Sequence, residues 1–319
     1  MHRKTALTGL ILLALAGGAG FLVLTQPYTV PADSLKSRPP DLANGETMFN
    51  IGGCTSCHAT PPKPDAKPED AKPDDHFRLG GGLALKTPFG TFKVPNISPD
   101  QATGIGGWSE LQFANAMLRG VGRAGEHLYP AFPYTSYQRM RLDDVRDLFA
   151  YLKTLPVIAK ASEPHELSFP FNVRRGLGLW KLVFLDGRTF EASPARSAAL
   201  NRGAYLVEGP GHCAECHSPR NLAGAIDADR RFSGGPEPEG KGFVPNITQH
   251  ADGLPTWSDK DFAYLLETGQ TPDADSVGGS MADVAINTGK LSAADRAAMA
   301  AYLKSLPARP GKPPPKKPE

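Results

Sequence analysis

The chain has 319 residues, 40% of them hydrophobic, and a formal net charge of +2 at pH 7. That balance fits a globular body and excludes a disordered chain, and the weak charge gives no argument for nucleic acid binding. The 34 glycines and 31 prolines point to loop-rich architecture, and the length suggests about two domains of ordinary size.

The N-terminus opens with His2-Arg3-Lys4 and then carries no charge until Asp33. Thr5 to Thr25 makes about 31 Å of helix, against about 30 Å of bilayer hydrocarbon. The basic flank belongs in the cytoplasm, which puts the remainder of the chain outside. A cleaved signal peptide is the rival reading, with Ala14-Leu15-Ala16 as its small-x-small site. The apolar run continues through Phe21-Leu22-Val23-Leu24, which favours an uncleaved membrane anchor over residues 1–30.

The next feature is Cys54-Thr55-Ser56-Cys57-His58, and it has a second copy, Cys213-Ala214-Glu215-Cys216-His217. Together they contain all 4 cysteines. Cys-x-x-Cys-His is the attachment signature of c-type haem. Two thiols one helical turn apart each add to a vinyl group of one porphyrin, and the following histidine lies under the iron. A thioredoxin-type pair needs no such histidine. A zinc site wants four ligands, and the motifs lie 159 residues apart (213 minus 54). The expectation is two covalently bound haem c groups, held by Cys54, Cys57, His58, Cys213, Cys216 and His217.

Between and after the motifs the chain repeats itself. Val94-Pro95-Asn96-Ile97-Ser98 recurs as Val244-Pro245-Asn246-Ile247-Thr248, Trp108-Ser109 as Trp257-Ser258, and Tyr151-Leu152-Lys153 as Tyr302-Leu303-Lys304. The offsets are 150, 149 and 151 residues (244 minus 94, 257 minus 108, 302 minus 151). The repeat predicts two domains, 38–158 and 197–308, joined by a linker at 159–196. Ser109 and Ser258 read as helix N-caps, and Asp143–Leu155 and Ser292–Leu306 read as helices that stop at prolines. Ser292 with Asp295 resembles a capping box. The glycosylation pattern at Asn96 and Asn246 reads better as a loop covering haem. Asn172 to Leu185 reads as a short linker helix packed over a domain. Pro61 to Asp75 looks like a surface insertion, and 309–319 like a solvated Pro/Lys tail. The fold class expected is all-α with no substantial sheet: two class I cytochrome c-like domains behind a transmembrane helix.

Each iron then needs a sixth ligand or stays open. In the second domain Met281, in the loop before the last helix, is the expected one, and Met299 reads as core. The first domain is less direct. Counting back from the shared Tyr-Leu-Lys puts Pro130 opposite Met281, and Glu126 to Tyr134 contains no methionine. His127 is the first choice, Met140 the second, Met117 a weaker one, and an open site the remaining alternative.

These residues also carry a family resemblance. Leu128-Tyr129-Pro130-Ala131-Phe132-Pro133-Tyr134, Arg202-Gly203-Ala204-Tyr205-Leu206, Ser218-Pro219-Arg220-Asn221 and Val244 to Thr248 resemble the mono- and dihaem cytochrome c subunits of membrane-associated bacterial dehydrogenases. The resemblance covers residues 40 to 307. It implies an electron-transfer subunit, not an enzyme, at the bacterial inner membrane with its haem domains in the periplasm. Its implied partners are a periplasmic catalytic subunit, such as an alcohol, gluconate or sorbitol dehydrogenase or a molybdenum hydroxylase acting on aldehydes or N-heterocycles, and a quinone or downstream cytochrome or oxidase. Two departures stand out: alcohol dehydrogenase subunits typically carry three haems, and many relatives have Met at the position of Phe132. A dihaem cytochrome c peroxidase is the alternative.

Overall fold

The computed structural model describes residues 2–62, 74–237 and 242–311. The proposed insertion lies largely outside the described residues, and the C-terminal tail beyond 311 lies wholly outside them. Helix α1 spans His2–Leu24, and its stretch Leu7–Leu24 is long and apolar enough to cross a membrane.

The body is built twice from one plan. In the first half, α2 (Leu42–Ile51) and α3 (Cys54–His58) precede a hairpin, β1 (Ala84–Thr87) and β2 (Gly90–Lys93). Then come α4 (Glu110–Arg119), α5 (Tyr134–Tyr137) and α6 (Leu142–Leu152). The linker contributes β3 (Glu166–Leu167) and α7 (Leu177–Phe184). The second half repeats the order with α8 (Ala198–Glu208), α9 (Ala214–His217), β4 (Gly235–Pro236), β5 (Phe243–Val244), α10 (Asp259–Thr268), α11 (Ser280–Gly289) and α12 (Ala293–Lys304).

In each half the first helix crosses the last, α2 on α6 and α8 on α12. The crossing is a backbone contact that only glycine permits. A Cβ on Gly45 would lie 2.3 Å from the Asp147 carbonyl oxygen, and one on Gly203 would lie 1.8 Å from that of Ala298. Gly45 and Gly203 are therefore equivalent, and the second half has one extra residue between this glycine and its cysteines. Around the crossings one buried cluster runs through both halves and includes Met48, Phe49, Leu152, Tyr205, Leu206 and Met299.

The helix caps follow the sequence. Ser109 and Ser258 each form a full capping box, with Gln112 and Asp261. Ser292 caps α12 by accepting from the Asp295 amide. The Asp295 carboxylate is committed to Arg202 at 2.8 and 3.0 Å instead of closing a box.

The expectation of an all-α fold needs correction. The described residues are mostly helical but include two small antiparallel sheets, β1-β2-β3 and β4-β5. The longest strands have 4 residues, too short for alternation to register above the loop pattern. Their placement matters: β5 runs directly into Pro245, and β2 ends one residue, Val94, before Pro95.

Candidate haem sites

Both haem motifs form a single helical turn, which brings each cysteine pair and its histidine to one side. The His58 Nδ1 lies 2.8 Å from the Pro95 carbonyl oxygen, and the His217 Nδ1 lies 2.9 Å from that of Pro245. A carbonyl only accepts, so Nδ1 carries the proton in both rings and the lone pair is left on Nε2. Burial lowers the pKa of His217 and takes that of His58 down to about 4. Both rings are thus neutral, as a metal ligand must be.

The proline carbonyls are held in place by the asparagines that follow them. Asn96 donates to the carbonyls of Ile158 at 2.7 Å and Lys160 at 2.9 Å, and accepts from the Ser98 amide. Asn246 donates to the Arg309 carbonyl at 2.8 Å and accepts from the Thr248 amide. Both asparagines are buried, in keeping with loops over haem and not with glycan attachment. The recurrence of Val-Pro-Asn-Ile was the signal for this device. Its role as the acceptor behind each histidine emerges only in three dimensions.

The thiols point the same way. Burial pushes Cys54 and Cys213 up to about 12 and Cys216 up to about 11. A zinc site or a reactive thiol needs a stabilised thiolate, and these surroundings disfavour one. Cys54 and Cys213 pack against the apolar core, which suits thioether sulfur on a porphyrin edge.

The two motifs meet at the boundary between the halves. Asn287 of α11 donates to Ser56 Oγ at 3.1 Å and accepts from Thr55 at 3.3 Å. Reciprocally, Thr135 and Ser136 of α5 donate to the Glu215 carboxylate at 2.5 and 2.8 Å. Both x residues of the first motif, and Glu215 of the second, are therefore held by the opposite half. Burial opposes a charge on Glu215, but Arg220 at 2.8 Å and the two hydroxyls outweigh it, and its pKa is lowered. Cys57 is near enough for its charge to contribute to raising the Cys216 pKa. None of Asn287, Thr135, Ser136 or Glu215 stood out in the sequence, because nothing local marks a residue that serves the other half.

The distal sides differ. Met281 is half-buried in the first turn of α11. In the first half, the bridge Val121–His127 matches Gln270–Ser276, and the bond from Leu128 to the Gly120 carbonyl matches that from Val277 to Gly269. Both matches give an offset of 149 (276 minus 127), which sets Phe132, not Pro130, opposite Met281. His127 lies five residues before Phe132 (132 minus 127). Its Nε2 is 2.8 Å from the Thr25 carbonyl oxygen, and its Nδ1 is buried without a hydrogen-bond partner. Met140, just before α6, corresponds to Leu291 just before α12. Both are buried in the core.

The fold and the paired His–Pro arrangements define a dihaem c-type cytochrome. A family model described as Cytochrome c matches residues 42–156 and again 200–307, and the chain belongs to that family, with two covalently bound haem c groups as its cofactors. It is 46% identical over 306 residues to a protein named "Diheme cytochrome c-type" from Cereibacter sphaeroides, covering 96% of this chain and 99% of that one. It is 34% identical to the fructose dehydrogenase cytochrome subunit of Gluconobacter japonicus, covering 96% of this chain and 59% of the relative. It is also 34% identical to the gluconate 2-dehydrogenase cytochrome c subunit of Pantoea cypripedii, covering 83% of this chain and 59% of the relative. The chain thus spans nearly all of the dihaem relative and less than two thirds of either dehydrogenase subunit.

Proposed function

We propose that this protein is a membrane-anchored, periplasmic electron-transfer subunit of a bacterial dehydrogenase. It takes electrons from a catalytic partner and passes them towards quinone, a downstream cytochrome or a terminal oxidase. The observation that carries this reading is that each haem motif is hydrogen-bonded by the other half, Thr55 and Ser56 by Asn287 and Glu215 by Thr135 and Ser136. Motifs bonded across one interface support two redox centres that exchange electrons within the chain. The dehydrogenase relatives support the choice of partner and disfavour the peroxidase alternative.

When bound, haem c supplies one-electron exchange at iron. The chain supplies the rest. Cys54 and Cys57 would hold haem 1, and Cys213 and Cys216 would hold haem 2. His58 and His217 would offer Nε2 to iron, made more basic by the Nδ1 bonds to Pro95 and Pro245. Met281 would offer its thioether to the iron of haem 2. His127 is our choice for haem 1, acting through Nδ1 because Nε2 is engaged with Thr25. Thr25 lies directly after α1 and is 0% exposed, which supports retention of α1 as an uncleaved anchor.

The test is a pull-down of the full-length protein from detergent-solubilised membranes, followed by addition of candidate dehydrogenase substrates. A co-purifying dehydrogenase whose substrate reduces both haems is the expected result. A pure, fully low-spin dihaem protein that no substrate reduces, or one that turns over peroxide, overturns the reading.

A further inference from the structure

Helix α7 of the linker is inverted relative to a soluble helix. Its outward face carries Leu179, Leu182 and Val183, which are 42%, 62% and 73% exposed. Its inward face carries Gly178 and Lys181, both buried. Lys181 spends its ammonium on the carbonyls of Arg119 and Gly120, at 2.7 and 2.6 Å. In water an amphipathic helix turns leucines inward and lysines outward. The reversal marks a helix whose outer neighbour is apolar.

The position of α7 identifies that neighbour. Arg175 donates to the Thr25 hydroxyl and to the Leu22 carbonyl, each at 2.7 Å. A Cβ on Gly178 would lie 2.6 Å from the Thr25 Cα, so α7 is pressed against the end of α1. The exposed leucines begin one residue beyond Gly178, and Val183 lies about 7.5 Å further along the axis. Trp180 donates to the Ala223 carbonyl at 2.9 Å, which brings the fully exposed Leu222 of the second half alongside. From Leu167 to Leu185 there is no carboxylate, so nothing on this segment repels an anionic lipid surface.

We propose that α7 lies on the periplasmic lipid surface, with Leu179, Leu182 and Val183 in the boundary between headgroups and acyl chains. Together with α1 it forms a second point of membrane contact. Two contacts fix the tilt of the haem body over the bilayer, whereas α1 alone would leave it free to swing. This inference rests on the anchoring proposed above and extends it from a tether to a fixed orientation.

The test uses the full-length dihaem protein in vesicles of phosphatidylcholine and phosphatidylglycerol doped with a diazirine-bearing phospholipid. After irradiation, adducts are mapped by peptide mass spectrometry. Adducts are expected both within 7–24 and within 177–185. The double variant Leu182→Glu, Val183→Glu should lose linker adducts about tenfold or more while keeping those in 7–24, with haem content and absorption spectrum as the check on folding. Adducts in 7–24 alone overturn the proposal and leave the anchor intact. Adducts in neither segment remove the anchoring reading and the proposal with it.

Discussion

Met281, proposed as a thioether ligand, has Phe132 at the matching point of the first half, a phenyl ring with no lone pair for metal. On that proposal this one difference separates the two haems chemically. A methionine ligand raises a haem potential relative to imidazole, so haem 2 is the expected resting place of an electron. A gap of about 60 mV gives a tenfold preference for a one-electron step. Met281→Ala should lower the potential of haem 2 and abolish any methionine-to-iron charge-transfer band, and a spectroelectrochemical titration reads both. Phe132→Met should do the reverse at haem 1, adding that band and raising its potential. His127→Ala should make haem 1 high-spin and open to carbon monoxide. Unchanged low-spin spectra and potentials would assign His127 to the Thr25 contact alone.

Among the elements, the crossed helices and the interface clamps carry the stability. Gly203→Ala places a methyl inside the contact distance of the Ala298 carbonyl, and overpacking of this kind costs about 1–3 kcal/mol. A lowered melting temperature of the holoprotein checks it, and Gly9→Ala, in an open stretch of α1, is the control. Arg220→Ala leaves Glu215 buried without its cation, and breaking a buried pair costs about 3–5 kcal/mol. Arg220 is 30% exposed on its side chain, so the lower end of that range applies, and denaturant unfolding reads it. The caps were legible at this scale because Ser109, Ser258 and Ser292 act within three residues of themselves. The strands were not, because β4 and β5 have 2 residues each and exist only as pairs.

For the whole molecule, the chain directly after α1 is joined to the body. Thr25 is covered by His127, Arg175 and Gly178, so the residue that follows α1 is part of the folded body. The protein should stay with membranes through a high-salt wash and leave them in detergent. Replacing residues 1–24 with a cleavable signal should yield stable soluble dihaem protein. Extending the deletion through Gln26 should lower the melting temperature, because His127, which is buried, and Arg175 lose their partner Thr25.

The haem chemistry was readable from the chain because it is local. Covalent attachment needs two cysteines and a histidine within five residues, and the histidine of each motif has its acceptor in a recurring Val-Pro-Asn. The duplication was equally plain, since Trp-Ser and Tyr-Leu-Lys return at nearly constant offsets. The tertiary structure alone decided what depends on contacts distant along the chain. It set Phe132 opposite Met281 through backbone pairing that a count from the C-terminal helix misses by two residues. It brought Glu215 to Thr135 and Asn287 to Thr55, 80 and 232 residues apart. It also turned the leucines of α7 outward, because Lys181 and Gly178 meet partners on α4 and α1 that no local pattern could name.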